Sequence, residues 1–239
     1  MHRRLCFSMR IAEIFRSLQG EGLLTGTPSV FVRLSGCNLR CWFCDTPYAS
    51  WHPDGDDLTS DQIVGQVEQQ IATQKDVDHV VLTGGEPMLF AGLVSLTAEL
   101  RRRGLHLTIE TAGTLYLPVA CDLMSISPKL SNSTPLDDPR WAARHEKTRH
   151  APEVIRRLTA EYEYQLKFVI DRPDDCREVD IYLAGFPQID RSRVMFMPQG
   201  TDPATLEEKA AWLEPYCQSR GLKYCPRRQI EWFGLVRGT

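Results

Sequence analysis

Short segments of alternating or continuous apolar residues, separated by polar turns, run along most of this chain. Residues 29–34 alternate, with Phe31 and Arg33 on one face and three aliphatic residues on the other, a pattern typical of a β-strand. Segments rich in apolar residues later in the chain indicate buried strands. These strands are predicted at residues 79–82, 105–109, 123–126, 165–170 and 194–197.

Amphipathic helices are predicted between these strands. Thr59 is expected to start one of them, because Gln62 completes a capping box and an apolar stripe with helical spacing follows. The same periodicity predicts helices around Leu96, where Gly104 ends the pattern, and at residues 152–162 and 203–220. Strands that alternate with helices favour a mainly parallel sheet with right-handed crossovers.

Polar and glycine-rich segments follow one predicted strand after another. They read Ser-Gly-Cys, Thr-Gly-Gly-Glu-Pro, Glu-Thr-Ala-Gly, Ser-Pro-Lys and Met-Pro-Gln-Gly. Parallel strands bring such segments to one edge, which is where α/β barrels build their active sites. The sequence therefore predicts an α/β fold, an open partial (β/α) barrel of about six βα units, as a single domain over residues 1–239. Within it, the polar residues 131–150 are expected to form a lid-like excursion.

Charge and hydropathy exclude several classes of partner. The net charge of the 239 residues is −3, which gives no basic footprint for nucleic acid or for an anionic membrane. Residues 1–9 contain an apolar run too short for a secretory signal, and no later run is long enough to span a bilayer. We expect a cytoplasmic protein, whose eight cysteines are reduced thiols available for metal binding or catalysis.

A compact group of thiols follows the strand at residues 29–34. Soft thiolates suit iron–sulfur or zinc centres, but a structural zinc site normally needs four ligands. The nearest further candidates are His52 and Cys121. Three thiolates instead leave one iron of a four-iron cluster open, and Trp42 and Phe43 are expected to shield that cluster from water. The three thiols are Cys37, Cys41 and Cys44.

This spacing, with an aromatic residue before the last cysteine, resembles the signature of the radical S-adenosylmethionine (radical SAM) superfamily. Residues 83–87, Thr-Gly-Gly-Glu-Pro, resemble its second motif, which holds the amino group of the cofactor. The resemblance implies a 4Fe-4S cluster on the three cysteines, with S-adenosylmethionine beside it. A zinc knuckle next to an ordinary strand–turn–helix is the alternative. The implied S-adenosylmethionine contacts are Phe43, Asp45, Gly84, Gly85, Glu86, Ser127, Pro128, Lys129 and Gln199.

Three segments resemble one family of that superfamily, the 7-carboxy-7-deazaguanine synthases of the 7-deazapurine (queuosine) pathway. They are residues 15–22, which are expected to lie just after the first strand, and residues 31–37 and 44–46. The likeness spans nearly the whole chain. It implies a carbon–nitrogen lyase that contracts the ring of 6-carboxy-5,6,7,8-tetrahydropterin by radical chemistry, with loss of ammonia. It also implies Mg²⁺, a reducing protein such as flavodoxin or ferredoxin, and a homodimer.

The same resemblance assigns the substrate site. Glu21 and Gln19 offer acceptors for the N–H groups of a pterin, and Arg33 offers a planar donor for its carboxylate. Thr46 is the implied Mg²⁺ ligand, because this ion prefers oxygen. The alternative for Arg33 is an exposed charge on its strand, and the alternative for Thr46 is an ordinary turn residue. Gln19 and Glu21 could instead lie in a solvated loop. The further implied substrate contacts are Leu18, Gly20, Thr83 and Thr239.

Two positions depart from the family pattern. Gln229 stands where many relatives have histidine, and Ala112 stands where asparagine is common.

Two functions of other classes compete with the synthase. A radical activase of another enzyme would need a protein partner but not Gln19, Glu21 or Arg33. A zinc-binding interaction protein would be colourless.

Overall fold

A computed structural model describes residues 8–73 and 77–239 of the chain. The expectation that residues 1–9 form no secretory signal therefore lies mostly outside the described residues. Among the described residues, no helix combines the length and apolar character that crossing a membrane requires.

One open sheet of nine strands organises the described residues. The strands are β1 (Ser8–Leu18), β2 (Pro28–Leu34), β3 (Asp56–Thr59), β4 (His79–Gly84), β5 (His106–Thr111), β6 (Leu123–Ile126), β7 (Tyr164–Ile170), β8 (Val194–Pro198) and β9 (Lys223–Tyr224). Their order is β3-β1-β2-β4-β5-β6-β7-β8-β9. Strand β1 is antiparallel to both of its neighbours, and every pair from β2 onward is parallel.

Helices lie between most successive parallel strands of the described chain, except that β6 follows β5 without one and α8 comes after β9. Over the described part of the chain they are α1 (Pro47–Ser50), α2 (Ser60–Ala72), α3 (Leu93–Arg102), α4 (Pro139–Arg149), α5 (Pro152–Glu161), α6 (Pro173–Ala184), α7 (Pro203–Arg220) and α8 (Arg228–Phe233). The predicted capping box starts α2: the Gln62 amide N–H donates to Thr59 Oγ1 over 3.3 Å, and the Thr59 N–H donates to Gln62 Oε1 over 2.8 Å.

The predicted fold class is confirmed. Strands β2 and β4–β8 supply six parallel strands of the described chain, and each predicted strand and helix is present within a few residues of its expected ends. The sequence prediction omits helices α1, α4, α6 and α8 and the strands β3 and β9. It also places residues 15–18 after the first strand, whereas they form the end of β1. The polar residues 131–150 contain a 3₁₀ turn and α4.

Alternation along the parallel strands separates the core from the cavity. In β2, Val30, Val32 and Leu34 are fully buried in the main hydrophobic core, whereas Phe31 and Arg33 line a cavity on the other face of the sheet. Strand β7 repeats this pattern, because its alternate residues Leu166, Phe168 and Ile170 belong to the same core. The strands thus present polar side chains to the cavity without exposing the core.

A buried histidine, His79, lies at the amino-terminal end of β4. His79 Nδ1 lies 2.7 Å from Ser29 Oγ on β2, and His79 Nε2 lies 2.8 Å from Thr108 Oγ1 on β5. Burial, together with the neighbouring His106, lowers the pKa of His79 to about 4. The folded protein therefore keeps this imidazole neutral at neutral pH.

This histidine is expected to make the protein acid-sensitive. The unfolded chain takes up a proton at the ordinary pKa of 6.5, but folded His79 takes it up only near pH 4, so the free energy of unfolding falls as pH decreases through that interval. The loss reaches at most about 3 kcal/mol. Urea unfolding of the wild type and of His79→Gln over this range measures it. Burial also lowers the pKa of His145 to about 4, but His145 contributes equally to both proteins. Equal pH slopes in the two proteins would therefore contradict the assignment to His79.

Candidate active site

The carboxyl ends of the parallel strands surround a cavity of about 540 Å³. Arg33 on β2 pairs with Thr83 on β4 in the strand register, and Glu110 on β5 pairs with Ser125 on β6. Thr83 Oγ1 also donates to Glu110 Oε2 over 2.8 Å. These four side chains therefore form a polar row across four neighbouring strands, and all of them line the cavity.

Lys167 on β7 extends this row with a buried positive charge. Its side chain is only 4% exposed, and its Nζ lies 2.8 Å from Glu21 Oε2 and 3.6 Å from Glu110 Oε1. Burial acts to lower the pKa of Lys167, but the two carboxylates outweigh it and raise the pKa. Lys167 is therefore a permanent cation that neutralises two carboxylates at the base of the cavity.

Glu21 is the most strongly bonded carboxylate of the site. Besides Lys167, it accepts hydrogen bonds from Gln229 Nε2 at 2.6 Å and from Arg227 Nε at 3.4 Å. Burial acts to raise the pKa of Glu21, but Lys167 and Arg227 lower it to about 2. Glu21 thus stays ionised and accepts hydrogen bonds across the physiological pH range.

Arg33 has a distinct environment at the opposite side of the row. Its Nε donates to Glu13 Oε1 over 2.6 Å, and Tyr48 Oη donates to the same oxygen over 2.8 Å. The guanidinium lies 5.7 Å from the centre of the Phe15 ring. Among the described residues, no hydrogen-bond acceptor takes its two terminal nitrogens, which leaves them for an anionic ligand.

The three cysteines of the loop after β2 line the same cavity. Burial raises the pKa of Cys37 to about 11 and that of Cys41 to about 12, so these thiols lose their protons only when a metal replaces them. Cys44 Sγ lies 3.1 Å from Ser50 Oγ. In the described parts of the chain, no three His, Cys, Asp or Glu side chains form a site for one ion. Thiolates that bind separate irons need no such convergence, and the donor set fits an iron–sulfur cluster.

The glycines after β4 lie against the start of the cysteine loop. Gly85 N–H donates to Leu34 O over 3.0 Å and Glu86 N–H donates to Gly36 O over 2.8 Å. A Cβ on Gly85 would lie 2.2 Å from Gly36 O and 2.4 Å from Ala49 O, which no side chain tolerates. Only glycine permits this close approach of the two backbones.

Gly85→Ala is therefore expected to separate the two loops. Because the clash is with backbone oxygens, we expect a loss of about 1–3 kcal/mol in the free energy of unfolding and weaker binding of S-adenosylmethionine. Gly65→Ala in α2 is the matched control, since nothing lies within 4 Å of its Cβ and alanine favours a helix. Thermal unfolding and equilibrium dialysis measure both effects. A Gly85→Ala protein as stable as the control would refute the argument.

Glu86 follows the two glycines, and its carboxylate is bonded within the chain. Its carboxylate is fully buried and accepts hydrogen bonds from Met88 N at 3.0 Å, Thr111 Oγ1 at 2.8 Å and Ala112 N at 2.8 Å. These donors belong to the chain itself, and Glu86 is not part of the cavity wall. Its role in this geometry is to tie the end of β5 to the loop after β4.

Most of the other predicted residues do lie at the cavity. Glu86 and Pro128 are the two that are not part of its wall. Trp42 is 54% exposed and lies outside the cavity wall, whereas Phe43 lines the cavity. The predicted residues that line it are Leu18, Gln19, Gly20, Glu21, Arg33, Cys37, Cys41, Phe43, Cys44, Asp45, Thr46, Thr83, Gly84, Gly85, Ser127, Lys129, Gln199 and Thr239.

Sequence reasoning missed three charged residues of the site. Glu110, Lys167 and Arg227 all line the cavity. Arg227 donates to Asp45 Oδ2 and to Gly200 O, so it joins the segment before α8 to the cysteine loop. Lys167 carried a usable signal, because a lysine in the middle of the apolar run Tyr-Gln-Leu-Lys-Phe-Val-Ile is buried only when it is paired. Gln229, whose role was open, contacts Glu21.

Residues 31–158, more than half of the chain, match the Radical SAM superfamily. With the cysteine loop and the partial barrel, this match makes the protein an enzyme of the radical SAM class.

Comparison with individual proteins identifies the family within this superfamily. The chain is 49% identical over 235 residues to the 7-carboxy-7-deazaguanine synthase of Rhodopirellula baltica, covering 97% of this chain and 89% of the relative. It is 42% identical over 234 residues to that of Halobacterium salinarum, covering 93% and 90%. A crystal structure of QueE from Escherichia coli shares the fold, with a TM-score of 0.70 at 23% identity over 92% of this chain and 94% of that one. The chain belongs to the family of 7-carboxy-7-deazaguanine synthases within the radical SAM superfamily.

Proposed function

We propose that this protein forms 7-carboxy-7-deazaguanine from 6-carboxy-5,6,7,8-tetrahydropterin with loss of ammonia, as a carbon–nitrogen lyase of 7-deazapurine (queuosine) biosynthesis. The observation that carries the proposal is the polar row of the cavity, which has ionised acceptors on one side and Arg33 on the other. A pterin with a carboxylate substituent presents the complementary groups, N–H donors on one edge and an anion on the other.

The acceptors are held in the state that pterin recognition needs. Glu21 remains ionised because its pKa is about 2, and the Gln19 side chain is fixed by donating to Glu110 Oε1 over 3.3 Å. Glu21 lies beside Lys167, which balances its charge. Carboxylate and amide oxygens in fixed positions read N–H groups directionally, so these residues bind and orient the ring.

The cofactor assignment follows the donor set of the cavity. Cys37, Cys41 and Cys44 would hold the 4Fe-4S cluster, and S-adenosylmethionine would bind beside it in the same cavity. When bound, the two groups supply the one-electron chemistry of the reaction. The chain itself orients both ligands and excludes water. The residues proposed to contact S-adenosylmethionine are Phe43, Asp45, Gly84, Gly85, Ser127, Lys129 and Gln199, which line the cavity.

We propose Thr46 as the protein ligand of Mg²⁺. Its hydroxyl lies 3.7 Å from Cys44 Sγ in the wall of the cavity. The neighbouring Asp45 is engaged by Arg227, so substrate oxygens and water would complete the octahedral shell that Mg²⁺ prefers.

A homodimer is proposed from the carboxyl-terminal segment. Four large apolar side chains there are exposed by 36–59%: Trp232, Phe233, Leu235 and Val236. Adjacent exposed apolar side chains indicate an interface. Light scattering after size exclusion tests this assembly, and a monomeric mass would contradict it.

Arg33→Gln is expected to raise the KM for 6-carboxytetrahydropterin about 10- to 100-fold, because a charge-assisted hydrogen bond to the substrate is lost. Cofactor cleavage in the absence of substrate should not change. Arg10→Gln on the neighbouring strand is the matched control, since Arg10 is 46% exposed. The affinity for tetrahydropterin without the carboxylate should be the same in wild type and Arg33→Gln. An equal loss of affinity for both pterins would show that Arg33 does not read the carboxylate.

The direct test of the function is anaerobic turnover of 6-carboxytetrahydropterin by the cluster-loaded protein, with the product identified by its mass. Absence of 7-carboxy-7-deazaguanine under these conditions would exclude the proposed substrate.

A further inference from the structure

The carboxamide of Gln199 is held by a lysine that lies behind the cavity wall. Gln199 follows β8 and lines the cavity, and its N–H donates to Ile170 O at the end of β7 over 2.8 Å. Lys209 belongs to α7 and is not part of the cavity wall. Its Nζ donates to Gln199 Oε1 over 2.8 Å and to Gln199 O over 2.6 Å. One side chain therefore fixes both the backbone and the amide group of Gln199.

The third contact of Lys209 anchors it to the neighbouring strand end. Its Nζ lies 2.6 Å from Asp171 Oδ1, and its side chain is only 14% exposed. Asp171 follows β7, and its own N–H donates to Asp175 Oδ2 in α6 over 2.7 Å. An ammonium group has three donors and no acceptor, so the two oxygens of Gln199 and the one of Asp171 use all of its donors. Lys209 is thus fixed in place, unlike a lysine on the solvent face of a helix.

This contact decides which end of the Gln199 amide is left for a ligand. Because Lys209 can only donate, the Gln199 atom beside it must be the oxygen, and the amide nitrogen points away from the lysine. Among the described residues, no acceptor takes Gln199 Nε2, and this atom is not one of the buried polar atoms that lack a partner. Gln199 therefore offers the cavity an accessible N–H donor.

We propose that Lys209 is the positioning residue for the adenosyl group of S-adenosylmethionine. It holds the Gln199 carboxamide so that the amide nitrogen donates to an acceptor atom of that group. This inference rests on the proposed function, in which Gln199 contacts the cofactor. A carboxamide that could turn freely would also present its oxygen, which an acceptor repels, and it would have to be ordered when the ligand binds. Fixing the amide beforehand removes both costs.

The experiment measures ligand binding to the protein with its cluster loaded and oxidised, so that the cofactor is not cleaved. The variants are Lys209→Met, Lys209→Arg, Gln199→Ala and the double variant Lys209→Met/Gln199→Ala. Lys223→Met is the matched control, because it removes the same charge from an exposed residue of β9. Equilibrium dialysis gives the Kd of S-adenosylmethionine and of 5′-deoxyadenosine for each protein. No pterin is present, so the outcome does not depend on the proposed substrate.

We expect Lys209→Met to raise the Kd of S-adenosylmethionine about 5- to 20-fold, which corresponds to the loss of about one hydrogen bond. The Kd of 5′-deoxyadenosine should rise by the same factor, since the contact is to the adenosyl group. With dithionite, the rate of cofactor cleavage at saturating S-adenosylmethionine should change less than about twofold. Lys209→Arg should restore most of the affinity, because a guanidinium also only donates. Lys223→Met should bind both ligands like the wild type.

The double variant separates positioning from a general structural role. If Lys209 acts through the amide, Lys209→Met should add no more than about twofold to the loss that Gln199→Ala causes alone. Additive losses would overturn the inference, as would a loss of affinity in Gln199→Ala that Lys209→Met does not share. Wild-type affinity in Gln199→Ala would reject the proposed cofactor contact itself, and the inference with it.

Gln199→Glu tests the orientation of the amide even if Lys209→Met does not fold. This variant keeps an oxygen beside Lys209 but replaces the donor that faces the cavity by an acceptor. Its Kd for S-adenosylmethionine should therefore rise at least about tenfold. Wild-type affinity in Gln199→Glu would show that no donor at this position is needed and would overturn the inference.

Discussion

Cys41→Ala is expected to abolish cofactor cleavage and to remove the visible absorption of the protein after cluster loading. Losing a residue that only supports a metal ligand costs 10- to 100-fold, and losing a ligand costs more than about 100-fold. The loop around this residue is held independently of the thiol, because Trp51 Nε1 donates to Cys41 O over 3.0 Å. The substitution should therefore leave the fold intact.

Iron and sulfide content, absorbance and release of 5′-deoxyadenosine measure this result together. Cys121→Ala is the matched control, since Cys121 is also a partly buried free thiol and is not part of the cavity wall. The control should keep its iron and its activity. A Cys41→Ala protein that retains iron content and cofactor cleavage would refute the assignment of the cluster to this loop.

Lys167→Met is expected to lower the free energy of unfolding by about 3–5 kcal/mol, because it leaves buried carboxylates without their cation. Glu21 and Glu110 both depend on this side chain. With Lys167 present, the low pKa of Glu21 stabilises the folded protein above pH 4.5, and this contribution is lost as pH falls from there toward 2. In Lys167→Met the pKa of Glu21 should rise, so this acid-range dependence should shrink.

Urea unfolding as a function of pH measures both effects. Lys167→Arg should retain most of the stability, since it keeps the charge. The double variant Lys167→Met/Glu21→Gln should recover part of the loss, because one of the orphaned charges is removed with it. Additive losses in the double variant would contradict the pairing of Lys167 with Glu21.

Much of the fold could be predicted because its signals are local. The alternation in β2, the apolar runs of β4–β8 and the capping box of α2 depend only on neighbouring residues. The antiparallel pairing of β1 with β3 could not be predicted in this way, since it joins positions such as Ser8 and Thr59. Helix α6 was missed although Cys176, Val179 and Leu183 are buried with helical spacing.

The site can likewise be predicted where its signals are local and not where they depend on long-range contacts. The cysteine spacing and the glycines at the end of β4 are contiguous motifs, and the cysteines and glycines that they contain line one cavity. The charge balance of that cavity depends on long-range contacts. Lys167 and Arg227 reach Glu21 from 146 and 206 residues away, and the motif around Glu86 does not reveal that its carboxylate bonds Ala112. The roles of these charged residues depend on their burial and on their bonding partners, and a contiguous sequence motif reveals neither.

The most direct test of the central claim is the mass spectrum of an anaerobic reaction. It contains the cluster-loaded protein, 6-carboxytetrahydropterin, S-adenosylmethionine, Mg²⁺ and dithionite. We predict 7-carboxy-7-deazaguanine, formed by the wild type and absent with Cys41→Ala. Cleavage of S-adenosylmethionine without this product would contradict the synthase function and would favour a radical activase of another enzyme.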